Sequence, residues 1–184
     1  MFKLHLACGS NYKQNWINVD IRSNIKTDVC QNVVLGKFWA TINDNSVDYV
    51  FSEHFVEHIY TEEFKFILKQ CNEKLKPGGI LRIATPDMDW LIKRYYDGDW
   101  QSDDWLHMAD IPEGKLITTA AEYINIGMRA WDHKFVYDYE TLRKYAFEAG
   151  FSLINREKFG KSKYNELQNL ETRIDSRLIV ELMK

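Results

Sequence analysis

The chain is poor in cysteine, has no long apolar run and carries no excess of basic residues. Its three cysteines (Cys8, Cys30 and Cys71) are an odd number without a C-x-x-C pair, which argues against a disulfide framework and favours a reducing compartment. No apolar run approaches the roughly 18 residues of a membrane span, and the start of the chain lacks the apolar segment of a signal peptide. The formal net charge of -3 at pH 7 argues against non-specific binding to nucleic acid, which depends on a basic surface. We therefore expect a cytoplasmic protein with no membrane and no nucleic-acid partner.

The length and the apolar content are typical of one globular domain. The chain has 184 residues, of which 45% are hydrophobic. A chain of this length buries roughly 70% of its unfolded surface, which is enough for a core without disulfides or metals. We expect a single domain over residues 1–184, with a helical insertion at about 88–132.

The first 20 residues contain the clearest signal of a ligand site. Residues 2–8 alternate in polarity, as a strand with one buried face does, and Gly9 is the only glycine among the first 35 residues. A second short strand over residues 16–20 ends in Asp20. Ligands of open α/β sheets bind at the carboxyl ends of strands, and a carboxylate there can accept hydrogen bonds from both hydroxyls of a ribose. Together, the turn at Gly9 and the carboxylate of Asp20 predict a site for a nucleoside-containing cofactor. The simpler alternative is that Gly9 only forms a tight turn and that Asp20 is only an exposed carboxylate at the end of a strand.

The rest of the chain reads as alternating strands and helices. Further strands are predicted at residues 27–31, 47–52, 80–84, 151–158 and 177–183, and helices at 34–42, at 61–75 with Thr61 as its cap, and after Asp138. Only residues 10–16 separate the first two strands, fewer than a helical crossover needs. We expect a bare loop there, which would leave one sheet face thinly covered and favour a homodimer.

Residues 88–137 differ in composition, since they contain four of the six tryptophans. We interpret this segment as irregular helices that pack over the ligand end of the sheet. Such a segment can form an apolar acceptor pocket or lid. A satellite core or an interface between subunits would have the same composition, and the sequence does not distinguish these alternatives.

His54, Glu57 and His58 have the spacing of residues on one helix face. Two imidazoles and a carboxylate so placed can bind a divalent metal. The alternative is that Glu57 and His58 begin a helix and satisfy local backbone groups. We expect this alternative, and therefore no metal.

The order of these pieces resembles the class I S-adenosylmethionine-dependent methyltransferases, in particular the small bacterial group similar to the type 11 domain. The matching segments are residues 6–9, 16–20, 44–50, 57–58, 75–83 and 133–135. The resemblance implies an α/β, Rossmann-like fold, with a seven-stranded, mostly parallel sheet and a C-terminal antiparallel hairpin. It also implies S-adenosylmethionine as the cofactor. Some methyltransferases of similar fold bind a metal through E-x-x-E-H, in which the first Glu corresponds here to His54.

The resemblance also implies a role for each part of the cofactor site. Asp20 would hold the ribose hydroxyls, and Asp28 or Asn32 would lie beside the adenine. The methionine portion and the methyl-donor end would be held by two further groups of residues: Cys8, Gly9, Ser10 and Asn11 for the first, and Ser52, Glu53 and His54 for the second. This chain departs from the family pattern in having a single glycine in the first loop and an asparagine where a carboxylate often lies beside adenine.

Methyl transfer mainly requires alignment of the acceptor with the sulfonium methyl, and a base is needed when the acceptor carries a tightly held proton. His133, His54 and Tyr137 are the candidates for that role, while a structural role for His133 is an equal alternative. We expect a methyltransferase that acts on a hydroxyl or amine of a small molecule, such as a sugar or another metabolite. The rival hypothesis is a non-catalytic module that binds S-adenosylmethionine or a protein partner. A methyltransferase for RNA or protein is a third hypothesis, and the near-neutral charge disfavours RNA.

Overall fold

A seven-stranded sheet forms the centre of the molecule. The structure is a computed structural model, and it describes residues 1–107 and 117–184. The strands are β1 (Lys3–Leu6), β2 (Ile17–Asp20), β3 (Val29–Cys30), β4 (Val47–Glu53), β5 (Leu75–Thr85), β6 (Leu153–Arg156) and β7 (Leu178–Met183). Their order across the sheet is β3-β2-β1-β4-β5-β7-β6. Strands β1 to β5 are parallel, and β7 runs antiparallel to both β5 and β6. The predicted α/β fold with a C-terminal antiparallel hairpin is confirmed.

Helices cover one face of this sheet. In the described residues the α-helices are α1 (Gly36–Trp39), α2 (Thr61–Lys74), α3 (Met88–Asp97), α4 (Ala120–Arg129) and α5 (Tyr139–Glu148). The apolar stripe of α2, which includes Phe64 and Leu68, packs with Leu4 and Leu6 of β1 and with Leu142 of α5 in the main core. No helix in this part of the chain is long and apolar enough to cross a bilayer.

The sequence predicts the N-terminal cap of α5 correctly and that of α2 incorrectly. Asp138 caps α5 as predicted, because its carboxylate accepts a hydrogen bond from Thr141 N at 2.7 Å. The prediction that Thr61 caps α2 is wrong, since Thr61 is the first helical residue. The cap is Tyr60, whose backbone N–H donates to the Glu63 carboxylate at 2.8 Å, so the acidic first turn stabilises the helix start.

The first crossover is a bare loop, as its length predicts, but the sheet face it leaves is not thinly covered. Leu167 and Leu170, from the loop that follows β6, pack against Trp16 of the crossover and Phe51 of β4. The expectation of a thinly covered face is therefore wrong. The homodimer that was inferred from it loses its structural argument.

A buried ion cluster fastens this covering loop to the sheet. Arg82 on β5 is fully buried, and its guanidinium donates to Glu171 of the loop and to Glu181 of β7, each at 2.6 Å. The second oxygen of Glu171 accepts the backbone N–H of Gly160 at 3.0 Å. Pairing with two carboxylates offsets the cost of burying the Arg82 guanidinium, and it holds the loop against the sheet.

The insertion has a small core of its own at the carboxyl end of the sheet. Leu91, Trp100, Trp105 and Tyr123 pack together there. Fully buried Asp103 ties the insertion together, since it accepts hydrogen bonds from Trp90 Nε1 at 3.0 Å and from the Tyr123 hydroxyl at 2.6 Å. Part of the predicted insertion, residues 108–116, lies outside the described residues.

Candidate active site

The loops at the carboxyl ends of β1, β2, β3 and β4 enclose a cleft of about 400 Å³. Its lining comprises Ala7, Asp20, Ile21, Arg22, Gln31, Asn32, Val33, His54, Phe55 and His58. The volume lies within the range of roughly 300–1,000 Å³ that is usual for small-molecule sites. The connections after β1 and β4 leave in opposite directions across the sheet, so the cleft lies at the topological switch point where open α/β sheets bind ligands.

The backbone is strained on both sides of the switch point. Ala7 follows β1 with a φ of 49°, and His54 follows β4 with a φ of 47°. Both values lie in the left-handed region, which residues other than glycine rarely adopt. Residues held in this way concentrate at functional sites. Gly9 also has a positive φ of 56°, and a Cβ added there would lie 3.1 Å from Arg22 Nη2. Glycine adopts this conformation without strain, whereas a side chain here would be strained and would crowd Arg22.

Asp20 is the principal anion of the cleft and is 5% exposed. One oxygen accepts the Gly9 N–H at 2.8 Å, and the other accepts Arg22 N at 3.0 Å and Arg22 Nε at 3.1 Å. Burial alone would raise the pKa of Asp20, but these hydrogen bonds hold it below its ordinary value. The group is thus an ionised acceptor directed at the cleft, as a ribose site requires.

A second, smaller cavity of about 160 Å³ adjoins the cleft under the insertion. Its apolar wall contains three tryptophans of the insertion, Trp90, Trp105 and Trp131. Its polar wall contains His58, His133, Asp87, Arg173, Asp175 and Arg177. His54 and His58 belong to the lining of both spaces, so these two imidazoles form their common wall.

Glu57 stands behind this wall and is fully buried. Its Oε1 lies 3.1 Å from His54 Nδ1 and 3.8 Å from His58 Nε2, and its Oε2 accepts a hydrogen bond of 2.8 Å from the Thr85 hydroxyl. Burial would raise the pKa of Glu57, but the two imidazoles bring it down to about 2. Conversely, burial would lower the pKa of His54, but Glu57 and Asp175 raise it above its ordinary value.

His133 enters the second cavity at the end of the insertion. The two residues before it, Trp131 and Asp132, both have left-handed backbone conformations, with φ of 53° and 66°. Its Nδ1 lies 3.2 Å from the carbonyl oxygen of Gly127 in α4. Burial lowers the pKa of His133 against the opposing field of Glu57, so the neutral ring predominates at neutral pH.

The structure brings only some of the predicted site residues together. Asp20, Asn32 and His54 line the cleft, and His133 lines the second cavity together with His54. Tyr137 lines neither space: it is fully buried in the main core, with its ring 4.9 Å from that of Phe64. The structure therefore places Tyr137 in the packing of the main core, outside both spaces.

The other predicted residues of the first loop and of β4 lie around the cleft without lining it. Gly9 and buried Cys8 form the turn beneath it, Ser10 and Asn11 are exposed, and Ser52 is buried in the sheet.

Two predicted carboxylates hold backbone instead of facing the cleft. Asp28 accepts Asn18 N at 2.7 Å and the Tyr12 hydroxyl at 2.7 Å. Glu53 accepts Thr172 N at 2.8 Å and Arg173 N at 3.0 Å. Both carboxylates thus position loops that border the site.

Several residues of the site are not predicted from the sequence. Arg22, Phe55 and Gln31 line the cleft, and Arg173, Asp175 and Arg177 reach the second cavity from the loop before β7. The position of Arg22, two residues after Asp20, could have been a signal. The loop before β7 has no such signal in its sequence, because its contact with Glu53 joins residues that are 119 positions apart.

Comparisons with known proteins agree with this architecture. Residues 4–83 match a family model described as a methyltransferase domain. A SAM-dependent methyltransferase from Archaeoglobus fulgidus is 17% identical with a TM-score of 0.60, and the match covers 99% of this chain and 85% of that one. An S-adenosylmethionine-dependent methyltransferase from Mesorhizobium loti is 14% identical with a TM-score of 0.56, over 100% of this chain and 90% of that one.

A third solved structure is a phosphoethanolamine N-methyltransferase 2 from Haemonchus contortus, in complex with S-adenosyl-L-methionine. It is 17% identical with a TM-score of 0.51, and the match covers 86% of this chain and 34% of that one. At these identities the structural similarities show the fold. No curated protein matches the sequence.

Proposed function

We propose that this chain is an S-adenosylmethionine-dependent methyltransferase that transfers a methyl group to a hydroxyl or amine of a small molecule. The match of residues 4–83 to a methyltransferase domain model and the similarity of the fold to class I methyltransferases support this proposal. The observation that carries the proposal is the common wall of the two spaces. The cleft has the position and the carboxylate of a nucleoside site, the second cavity has the aromatic lining of a site for a small acceptor, and His54 and His58 separate them.

The residues of the cleft fit the cofactor. The ionised carboxylate of Asp20 can accept both ribose hydroxyls, and the turn at Gly9 lets the backbone approach the ligand closely. Asn32 lies further along the same cleft, where its amide can donate to and accept from an adenine edge. When bound, S-adenosylmethionine supplies an activated methyl group on a sulfonium centre.

The acceptor side is supplied by the insertion and the C-terminal loop. Trp90, Trp105 and Trp131 exclude water and restrict the acceptor to a small volume, which aligns it with the common wall. Asp175 and Arg173 offer polar contacts of both signs, so the cavity fits a small polar metabolite better than an apolar one. This composition supports a hydroxyl or amine acceptor.

We assign the base role to His54. Of the three candidates predicted from the sequence, His54 alone lines both spaces, and its Nε2 is buried without a hydrogen bond at 3.6 Å from Asp175. A proton leaving the acceptor can pass to Nε2, while Glu57 faces Nδ1 of the same ring at 3.1 Å. His133 lines only the acceptor cavity.

The test has a binding step and a turnover step. Titration calorimetry with S-adenosylmethionine and S-adenosylhomocysteine should show one site per chain. Panels of small amines and polyols, incubated with S-adenosylmethionine, should then yield S-adenosylhomocysteine with at least one acceptor class. Binding of the cofactor without any turnover across broad acceptor panels and cell extracts would favour the non-catalytic module.

Two variants refine this test. His54→Gln should lower kcat by about 100- to 10,000-fold, the usual range for one acid–base group, with cofactor affinity kept within a few-fold. Tyr137→Phe serves as the matched control, because the hydroxyl it removes lines neither space and has no hydrogen bond. An equal loss in both variants would overturn the assignment of His54.

A further inference from the structure

Three side chains from two distant parts of the sequence meet at the common wall. Glu57 and His58 lie in the short 3-10 turn after β4, and His133 lies at the end of the insertion. Each offers one possible ligand atom, and these atoms all lie within 4.8 Å of one another. Two backbone hydrogen bonds fix this meeting, because the Glu57 carbonyl accepts Lys134 N at 2.7 Å and Phe135 N at 3.2 Å.

The carboxylate at the centre of the group is incompletely satisfied. Glu57 is fully buried, and its Oε2 accepts the hydroxyl of Thr85, but its Oε1 has no hydrogen bond. His54 Nδ1 approaches Oε1 to 3.1 Å and His58 Nε2 to 3.8 Å, without hydrogen-bond geometry. The neighbouring imidazoles favour the ionised form of this carboxylate, but Oε1 still has no hydrogen bond and can accept a further cation or donor.

His133 has the orientation that metal-binding histidines typically show. Its Nδ1 faces the carbonyl oxygen of Gly127 at 3.2 Å, and since a carbonyl only accepts, this nitrogen carries the hydrogen. The other nitrogen, Nε2, is then an unprotonated lone-pair donor. A ligating imidazole commonly donates its second N–H to a carbonyl or carboxylate in this manner, which fixes its tautomer and its direction.

We propose that Glu57, His58 and His133 bind a divalent transition-metal ion, with Zn²⁺ as the best match, at the acceptor side of the common wall. Two imidazoles and one carboxylate form a ligand set that zinc enzymes use while keeping a further position open. Tetrahedral zinc ligands stand roughly 3.4 Å apart, so donor atoms within 4.8 Å need only small side-chain rotations to converge.

The open position would face the acceptor cavity, because His58 and His133 both line it. There the ion can hold an oxygen or nitrogen of the acceptor and orient it toward the cleft. The metal site depends only on the geometry of the three ligands, whereas its role toward an acceptor rests on the methyl transfer proposed above.

The binding test uses the full-length chain with Cys30→Ser as the background, because Cys30 is the exposed thiol and could bind zinc adventitiously. After treatment with chelator and dialysis, the protein is titrated with Zn²⁺ against a chromophoric chelator, and with Co²⁺ by visible absorption. We expect one ion per chain. The absence of zinc binding by this protein would overturn the proposal.

Two substitutions of His133 separate ligation from packing, since its ring also contacts His58 at 5.0 Å and Trp131 at 5.8 Å between centroids. His133→Phe keeps an aromatic ring and should weaken Zn²⁺ binding by at least about 100-fold, since even outer-shell changes cost 10- to 100-fold. His133→Cys loses the ring but keeps a ligand, so it should retain tight binding and add a thiolate band to the Co²⁺ spectrum. Unchanged zinc affinity in His133→Phe would overturn the proposal.

His58→Phe is a second variant of the same kind, for the case in which a substitution at His133 prevents folding. Affinity for S-adenosylhomocysteine, measured on the same proteins, separates the two proposals. Loss of metal binding with intact cofactor binding would concern the metal site alone. A protein that binds zinc but not the cofactor would instead contradict the proposed function.

Discussion

The side chain of Arg22 occupies the acceptor positions of Asp20 that a ribose would need. A carboxylate has about four lone-pair positions. In Asp20 two of these accept the backbone N–H groups of Gly9 and Arg22, at 2.8 and 3.0 Å. The guanidinium of Arg22 takes the remainder, with Nε at 3.1 Å and Nη2 at 3.5 Å. We therefore predict that the cofactor displaces this side chain, which is half exposed to solvent.

The prediction is tested with one variant of each residue. Asp20→Asn keeps the shape but has a single acceptor oxygen, and its amide hydrogens would face N–H donors. Hydrogen bonds to a charged group contribute about 1.5–3 kcal/mol, so the dissociation constant for S-adenosylhomocysteine should rise about 10- to 150-fold. Arg22→Ala removes the competing guanidinium and leaves the carboxylate in place. Its affinity should equal or exceed that of the unmodified protein.

Titration calorimetry on the three proteins measures both effects, with thermal unfolding as the check that each variant is folded. Unchanged affinity in Asp20→Asn would refute the ribose role of this carboxylate. Weaker binding in Arg22→Ala, comparable to that in Asp20→Asn, would refute the competition, since Arg22 would then contact the cofactor itself.

Three further predictions concern the scaffold. Arg82→Ala leaves the buried carboxylates of Glu171 and Glu181 unpaired and should lower the free energy of unfolding by about 3–5 kcal/mol in urea titrations. A loss below about 1 kcal/mol would mean that the cluster is no stronger than a surface pair. Burial lowers the pKa of His5 from 6.5 to about 4, so the stability that is fully present above pH 6.5 should fall by on the order of 3 kcal/mol as the pH drops toward 4. In urea unfolding, the His5→Phe variant should lack this fall. An identical pH dependence of stability in both proteins would contradict the role of His5. Glu53→Gln weakens the hydrogen bonds that Glu53 accepts from two backbone N–H groups of the loop before β7, so hydrogen exchange in this loop should accelerate at least about 10-fold. Unchanged protection would show that other contacts hold the loop.

The sequence was sufficient to predict the sheet and one edge of the site because those signals are local. Alternating polarity marks β1, the helix after Asp138 begins with a capping carboxylate, and Gly9 and Asp20 follow consecutive strands. Parallel strands bring their carboxyl ends to one edge, so these two residues meet without any knowledge of distant contacts. Their hydrogen bond at 2.8 Å is the direct consequence.

The acceptor side could not be predicted in the same way because it is assembled from distant segments. Lys134, the residue after His133, reaches Glu57 through a backbone hydrogen bond across 77 positions of sequence, and the loop before β7 reaches Glu53 across 119. Neither segment has a periodic pattern of its own. Arg82 reads as an ordinary polar residue of a strand, and only the fold shows that both faces of its strand are buried. The left-handed backbone of His54 is likewise set by its surroundings and not by residue type.

The most direct test of the account is a crystal structure of the protein with S-adenosylhomocysteine. The account predicts that the adenosine occupies the cleft with its ribose hydroxyls on the carboxylate of Asp20, and that the sulfur points to the wall formed by His54 and His58. A ligand bound elsewhere, or a sulfur directed away from that wall, would contradict it.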